Sequence, residues 1–195
     1  MTRLGLFGGT FDPVHYGHLR TVEAARIELG LPEVWMLPNP FPPHKLHTPI
    51  TPYAHRKAML ALALKEFPLL KISDLEEKVK GPAYTTETIQ RVISELPPGG
   101  KDLWLIVGAD SLIDLPKWKN PEDLFSHARV AVLRRPGVDL REAPSQYVSR
   151  VKLLTTPMVA ISATEIRDAI RIGLDTSQWL PEKVRNYIAE NRLYQ

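Results

Sequence analysis

The sequence predicts an α/β fold in which a doubly wound, mainly parallel sheet carries helices on both faces. Apolar runs of strand length alternate along the chain with longer stretches of helical period, as in successive strand–helix–strand units. Two of the runs, Leu103–Val107 and Val130–Leu133, are continuously apolar, which is typical of parallel strands buried on both faces. The glycine pair Gly8 and Gly9 follows the first run and suits a tight turn out of a strand.

The first half of the chain predicts three strands and three helices, with one long loop. Pro38–Pro52 contains six prolines and two histidines, so we expect an ordered loop there. Gly30 is expected to end the first helix, because glycine is common just beyond a helix C-terminus. The predicted strands are Leu4–Phe7, Val34–Leu37 and Leu70–Ile72, and the predicted helices are His18–Leu29, Ala54–Lys65 and Thr85–Leu96.

The second half adds the two apolar strands named above and a last strand within Val151–Ile161. Between the two apolar strands, Asn120 is predicted to cap a helix that begins with Pro121 and has Glu122 and Asp123 in its first turn. Two further helices are predicted at Ala163–Ile172 and Glu182–Asn191. Because no repeat or long linker divides the chain, we expect residues 1–195 to form one domain.

The composition excludes several classes of protein. The chain has 195 residues, of which 44% are hydrophobic and 24% charged, unlike collagen, coiled coils or disordered chains. It has no cysteine, so disulfide and thiolate chemistry are excluded and a cytoplasmic protein is expected. No apolar run approaches the roughly 18 residues of a membrane span, and we expect neither a span nor a signal peptide. The net charge of +3 suits anionic small molecules and nucleic acid alike.

The loop after the first strand is the most informative one, because ligands of such sheets bind at the carboxyl ends of the strands. The patterns G-x-G-x-x-G and G-x-x-x-x-G-K-[ST] are absent there, which excludes the usual Rossmann cofactor site and a P-loop. His15 and His18 stand three residues apart at a helix start, so their rings share one face, and the helix N-terminus favours an anion there. Gly17 is expected to leave room for a phosphate close to the backbone.

Two other interpretations of the histidine pair stay open on the residues alone. His15, His18 and Asp12 could ligate a metal ion, although zinc usually takes a third or fourth tightly spaced protein ligand. The histidines could also be structural, as a helix cap or as surface residues. Phosphate binding is favoured because the glycine turn and the helix start serve the same anion.

Several blocks of sequence resemble one enzyme family. GGTFDPVHYGHL, residues 8–19, is similar to the H-x-G-H signature of the nucleotidyltransferase superfamily, and Ile161–Arg167 resembles its second signature, with Ala163 at the variable position. Further blocks, in order along nearly the whole chain, resemble the bacterial nicotinate-nucleotide adenylyltransferase family. These blocks are Pro42–Lys45, Gly81–Thr86, Gly108–Leu112 with Trp118, Arg134–Gly137 and Leu180–Tyr194. The resemblance implies a Rossmann-like nucleotidyltransferase fold whose C-terminal helices, about 163–195, pack on a nucleotide-binding core.

The resemblance also implies transfer of AMP from ATP to nicotinate mononucleotide, giving nicotinate adenine dinucleotide and pyrophosphate for NAD biosynthesis. The attacking phosphate monoester has a second pKa near 6, so it is mostly dianionic at neutral pH and needs no general base. Catalysis then consists of orienting two polyanions and stabilising the charge that develops on the leaving group. Mg²⁺ is expected to be carried by the ATP phosphates with mostly water ligands, and no protein metal ligand is predicted.

The resemblance assigns three catalytic residues, of which His18 is expected to stabilise the transition state at the α-phosphate. The other two are His15 and Arg167. Ser162-x-x-Glu165 predicts a capping box, whose free N–H groups would also meet the β- and γ-phosphates. Arg135 is expected to be a solvated surface residue. The predicted ATP-binding residues are Gly8, Gly9, Thr10, His15, His18, Gly108, Asp110, Arg134, Ser162, Thr164 and Arg167.

A second set of residues is assigned to the mononucleotide. Trp118 is expected to stack on the pyridine ring, with a core position as the alternative, and Asp110 to bind ribose hydroxyls or to cap a helix from Ser111. Backbone N–H groups of Thr85 and Thr86 would receive the nicotinate carboxylate, where an amide would be left imperfectly paired. The predicted mononucleotide residues are Asn39, Lys45, Tyr84, Thr85, Thr86, Asp110, Trp118 and Lys119.

Other functions stay open at this point. A sister adenylyltransferase could act on nicotinamide mononucleotide or phosphopantetheine. A protein of another class, a non-catalytic nucleotide sensor or RNA-binding module, could use the basic surface, although the basic residues form no stripe with interleaved aromatics. The oligomeric state is also left open, a homodimer included.

Overall fold

The computed structural model describes residues 2–42, 49–77, 81, 84–97, 101–157 and 159–195, with residue 101 described by its backbone alone. Within these residues, six strands form one sheet in the order β3-β2-β1-β4-β5-β6, and every strand pairing is parallel. The predicted fold class is confirmed. The strands are β1 (Thr2–Gly9), β2 (Val34–Pro38), β3 (Leu70–Ile72), β4 (Lys101–Gly108), β5 (Arg129–Leu133) and β6 (Val151–Leu153).

Eight α-helices surround this sheet in the described part of the chain. They are α1 (Tyr16–Glu28), α2 (Tyr53–Ala63), α3 (Thr85–Glu95), α4 (Ala109–Ile113), α5 (Pro121–His127), α6 (Ser145–Val148), α7 (Ala163–Arg171) and α8 (Glu182–Glu190). Short 3₁₀ turns lie at Leu64–Glu66, Leu115–Lys117 and Leu140–Glu142. None of the helices described is both long enough and apolar enough to pass through a membrane.

The helices pack on both faces of the sheet because inward side chains alternate along each strand. Phe7 of β1 belongs to a core that includes residues of α1, α2, α7 and α8, whereas Leu4 and Leu6 belong to the core beneath α3, α4 and α5. Ile166 of α7 and Val184 of α8 are fully buried in the first of these cores. That residues 1–195 form a single domain stays a prediction.

The strand order reverses between β1 and β4. β1 pairs with β2 on one side and with β4 on the other. The chain therefore builds the sheet first to one side of β1, through β2 and β3, and then to the other side, through β4, β5 and β6. The carboxyl ends of β1, at Gly9, and of β4, at Gly108, therefore border a crevice of the kind that binds ligands in doubly wound sheets.

Several element boundaries differ from the sequence predictions. The last strand covers only Val151–Leu153, and α2 ends at Ala63 before a 3₁₀ turn. Asn120 is the N-cap residue of α5, and Pro121, Glu122 and Asp123 stand in its first turn as predicted, but the Asn120 backbone is left-handed (φ 50°) and its side chain makes no capping hydrogen bond. α4 begins at Ala109 with Gly108 at the N-cap, which removes the alternative that Asp110 caps this helix.

Candidate active site

The carboxyl ends of β1, β4 and β5 and the starts of α1, α3 and α7 line a cavity of about 780 Å³, a volume typical of small-molecule sites. Thr86 is buried but is not on this wall, and Lys45 lies outside the described residues. The predicted site residues that the structure brings together on the wall are Gly8, Gly9, Thr10, His15, His18, Asn39, Tyr84, Thr85, Gly108, Asp110, Trp118, Lys119, Arg134, Ser162, Thr164 and Arg167.

The two histidines lie face to face at the start of α1. His15 is the N-cap residue, and its carbonyl accepts hydrogen bonds from the backbone N–H groups of His18 and Leu19. The two imidazole centroids are 3.8 Å apart with the rings inclined by 32°. The Phe11 and His18 rings are nearly perpendicular, at 79°, with centroids 5.3 Å apart. The predicted sharing of one helix face is thus found, and aromatic contacts on both sides fix the His18 ring.

His15 is neutral at neutral pH. It is only 4% exposed, and burial, with a smaller contribution from the nearby Arg135 guanidinium, lowers its pKa to about 4. Its Nδ1 is buried and has no hydrogen-bond partner among the described residues. The ring therefore meets an anion as a hydrogen-bonding imidazole, and a bound anion would raise its pKa again.

This low pKa predicts a pH-dependent contribution of His15 to stability. Above pH 6.5 the ring is neutral in both the folded and the unfolded chain, and below that pH only the unfolded chain takes up the proton. The difference in unfolding free energy between the wild type and His15→Gln should therefore fall by about 2 kcal/mol from pH 7 to pH 5. Urea unfolding of both proteins at both pH values measures this change. The contributions of the other titratable groups are shared by the two proteins and cancel in the difference. A difference that stays the same at pH 7 and pH 5 would contradict the lowered pKa of the buried His15.

Two glycines of the first motif make room for rings. A Cβ on Gly17 would lie 2.8 Å from Nδ1 and Cε1 of His15, and a Cβ on Gly9 would lie 2.8 Å from the Phe11 ring. Gly17 also lines the cavity, and the close approach of a phosphate to its backbone stays a prediction. Gly8 and Gly108 are different, since no described atom lies within 4 Å of a Cβ built on either.

Asp12 holds the first motif together. Its Oδ1 accepts a hydrogen bond from the Tyr194 hydroxyl at 2.7 Å, its Oδ2 accepts one from the Thr51 N–H at 3.2 Å, and its carbonyl accepts one from Nη1 of Arg167 at 2.8 Å. Both carboxylate oxygens are thus committed within the protein. A metal site formed by His15, His18 and Asp12 would therefore lack its third ligand.

Arg56, which no sequence pattern singled out, supports the same loop. Its side chain is fully buried, and it donates hydrogen bonds to the carbonyl of Thr10 at 2.6 Å and to that of Thr51 at 2.9 Å. Burial lowers its pKa and the Asp12 carboxylate opposes this, so the group stays charged. The sequence of α2 did not indicate that Arg56 is buried, because an arginine on a helix is normally solvated.

The second motif forms the predicted capping box. Oγ of Ser162 accepts a hydrogen bond from the Glu165 N–H at 3.1 Å, and Oε2 of Glu165 accepts one from the Ser162 N–H at 3.0 Å. The Ser162 hydroxyl also donates a hydrogen bond to Oε2 of Glu165 at 2.6 Å, and this bond, with the one from the Ser162 N–H, lowers the pKa of Glu165. Arg167, one turn further on, also donates to Oγ1 of Thr164 at 3.2 Å. Because Arg167 reaches the Asp12 carbonyl as well, it joins the two motifs.

Arg135 is exposed, as expected, but it also lines the cavity. Its Nη1 lies 3.1 Å from Oδ2 of Asp110, and it lines the same wall as Arg134. The described wall carries more positive than negative side chains. The cations are Arg134, Arg135, Arg167, Lys117 and Lys119, and the acids are Asp110 and Glu76.

The far end of the cavity is formed by the start of α3 and the segment around Trp118. α3 begins at Thr85 as predicted. Nζ of Lys119 lies 4.6 Å from the Tyr84 ring centroid and 2.7 Å from Oε1 of Glu87. Trp118 is half-buried against the core beneath α3. This end thus combines an aromatic surface, a helix start and a lysine.

The chain resembles known proteins over its whole length. Residues 6–169 match the family described as cytidylyltransferase-like. A probable nicotinate-nucleotide adenylyltransferase of Thermomicrobium roseum is 41% identical, and the match covers 100% of this chain and 92% of that protein. The nicotinate-nucleotide adenylyltransferase of Bacillus subtilis is 35% identical, and the match covers 100% of both chains.

A solved structure shows the same fold. Plasmodium falciparum nicotinic acid mononucleotide adenylyltransferase, complexed with NaAD, superposes with a TM-score of 0.80 at 19% identity and is covered over 98% of its length by the whole of this chain.

Proposed function

The chain belongs to the cytidylyltransferase-like family and, within it, to the nicotinate-nucleotide adenylyltransferases, and from this premise we propose that it transfers AMP from ATP to nicotinate mononucleotide. The observation that carries the proposal is the single cavity onto which both motifs and the start of α3 open. We also propose that the enzyme acts in the cytoplasm, which its cysteine-free sequence suits.

In the proposed reaction, a phosphate oxygen of the mononucleotide attacks the α-phosphorus of ATP. The bond from that phosphorus to the oxygen bridging to the β-phosphate breaks, and pyrophosphate leaves with the electron pair. We propose that His18, supported by the neutral His15 ring, donates a hydrogen bond to the α-phosphate as its charge changes. The free N–H groups at the start of α7, after Ser162, are suited to the β- and γ-phosphates, and Arg167 adds positive charge beside them.

The part of the cavity formed by Tyr84, Thr85, Trp118 and Lys119 is called the acceptor end. There we propose that Trp118 stacks on the pyridine ring. The N–H groups of the first turn of α3, at Thr85, suit the nicotinate carboxylate, and the Lys119 ammonium adds positive potential. Asp110 is proposed to exchange Arg135 for ribose hydroxyls when ATP binds, which would free the Arg135 guanidinium for a phosphate.

A divalent metal generally accompanies ATP in nucleotidyl transfer, and we propose Mg²⁺, which neutralises charge on the phosphates. Within the described part of the chain, no cluster of three or more histidine or acidic side chains is placed to hold a metal, and Asp12 uses both oxygens within the protein. We propose that the triphosphate carries this metal.

A pyrophosphate-release assay tests the proposed function. ATP, Mg²⁺ and either nicotinate or nicotinamide mononucleotide are supplied, and the acid is expected to be much the better acceptor. Absence of pyrophosphate release with both would overturn the proposal. Salt-sensitive RNA binding without pyrophosphate release would favour a nucleic-acid-binding module instead.

Gly8→Ala separates a ligand effect from a folding effect. An added Cβ meets no described atom in the free protein, so the unfolding free energy should change by less than about 1 kcal/mol. If the triphosphate packs against the Gly8 backbone, however, the methyl group will weaken ATP binding by about tenfold or more. Calorimetric titration with a non-hydrolysable ATP analogue measures this. Unchanged affinity would place the triphosphate away from Gly8.

A further inference from the structure

Glu76 is a buried acid on the cavity wall that the proposed mechanism does not use. It follows β3 in the turn that leads toward α3, and only 6% of its surface is exposed. It lines the same cavity as Tyr84, Thr85 and Trp118, the residues proposed to receive the pyridine ring. Its hydrogen bond with Thr88, in the first turn of α3, puts it beside Thr85 and thus at the acceptor end of the cavity.

The two carboxyl oxygens of Glu76 have different surroundings. Oε1 accepts a hydrogen bond from Oγ1 of Thr88 in the first turn of α3, at 3.0 Å. Oε2 is buried and has no hydrogen-bond partner among the described residues. A buried carboxylate with one neutral donor is costly, and burial raises the pKa of Glu76 to about 7, against the effect of Thr88. The group therefore changes charge near neutral pH.

The charged groups on the neighbouring elements are paired with one another. Lys57 of α2 is 2.9 Å from Asp74 and 2.6 Å from Glu77. Lys119 pairs with Glu87 of α3, Lys117 with Asp114, and Asp110 with Arg135 across the cavity. None of these described groups forms an ion pair with Glu76; Lys78 and Lys80 lie outside the described residues.

We propose that Glu76 makes the preference of the acceptor end for a carboxylate over a carboxamide on the pyridine ring depend on the charge of its own buried carboxyl group. The neutral carboxyl leaves this end free of negative charge and admits the carboxylate, where the cationic and N–H groups favour it. The ionised form repels the carboxylate through a weakly screened interior, while the uncharged amide is little affected. This inference rests on the proposed function and deepens it.

The experiment measures kcat/KM for nicotinate and nicotinamide mononucleotides between pH 6 and pH 9. The phosphate titrates equally in the two substrates, so its effect cancels in the acid-to-amide ratio. In the wild type this ratio should fall by about tenfold or more across the range, because each pH unit above the pKa lowers the neutral fraction of Glu76 about tenfold. In Glu76→Gln, which is always neutral, the ratio should stay high at every pH.

Glu77→Gln is the matched control, since Glu77 is adjacent, exposed and paired with Lys57. It should retain the wild-type profile. A wild-type ratio independent of pH, or the same profile in the wild type and Glu76→Gln, would overturn the role of Glu76 alone. Failure of the wild type to release pyrophosphate with either substrate would instead overturn the proposed function, and this inference with it.

A second measurement needs no variant. At pH 8 the wild-type Glu76 is mostly ionised, so binding the carboxylate should draw a proton onto it. Calorimetry in two buffers of different ionisation enthalpy should show net proton uptake with nicotinate mononucleotide and less with nicotinamide mononucleotide. Equal uptake with both would contradict the inference.

Discussion

His18→Ala is expected to lower the turnover of pyrophosphate release by at least about 10²-fold, the cost of removing one oriented donor from a charge-stabilising site. The structure gives the reason: the His18 ring packs against the rings of His15 and Phe11, whose centroids lie 3.8 Å and 5.3 Å from its own. Such a donor is already oriented when charge develops on the α-phosphate. The effect should appear in kcat more than in the KM for ATP.

Steady-state kinetics with ATP and nicotinate mononucleotide measure this effect. His127→Ala is the control, because His127 is an exposed histidine at the end of α5 and is absent from the cavity lining. It should keep wild-type activity. Comparable turnover of His18→Ala and the wild type would remove His18 from the proposed catalytic role.

Local patterns in the sequence suffice for the fold and for the position of the site. Continuous apolar runs identify the central strands, and a paired glycine followed by His15 and His18 marks the first crossover. The capping box at Ser162 is equally local, because its two hydrogen bonds join residues three apart. Such features depend on neighbours along the chain, and the structure contains all of them.

The burial of charged residues is a different matter, because distant segments determine it. Arg56 stands in a helical pattern and Glu76 in a polar loop. Charged side chains in both settings are normally solvated. Arg56 is held inside by its contact with Thr10, 46 residues away. Glu76 contacts Thr88 of α3, 12 residues away. For the same reason the sequence could not show that Gly17 serves the His15 ring or that Arg135 faces the cavity.

Arg56→Met is expected to lower the free energy of unfolding by about 3–5 kcal/mol, a large part of the roughly 5–15 kcal/mol that stabilises a domain. The methionine fills similar space, but the carbonyls of Thr10 and Thr51 lose their donor and the buried Asp12 carboxylate loses its facing cation. Removing one partner of such a group is the costly case, because the remaining polar atoms stay buried without compensation. Arg56→Lys should be less damaging, since it keeps the charge but not the forked geometry.

Urea unfolding followed by tryptophan fluorescence measures this loss, and Arg20→Met is the matched control. Arg20 is exposed on α1, where its guanidinium lies 4.2 Å from the Tyr16 ring centroid, and its replacement should cost less than about 1 kcal/mol. Because Arg56 holds the Thr10 carbonyl, Arg56→Met should also reduce turnover under conditions where the variant is still fully folded. A change in stability below about 1 kcal/mol would mean that the glycine turn and the Thr51 segment keep their positions without this guanidinium.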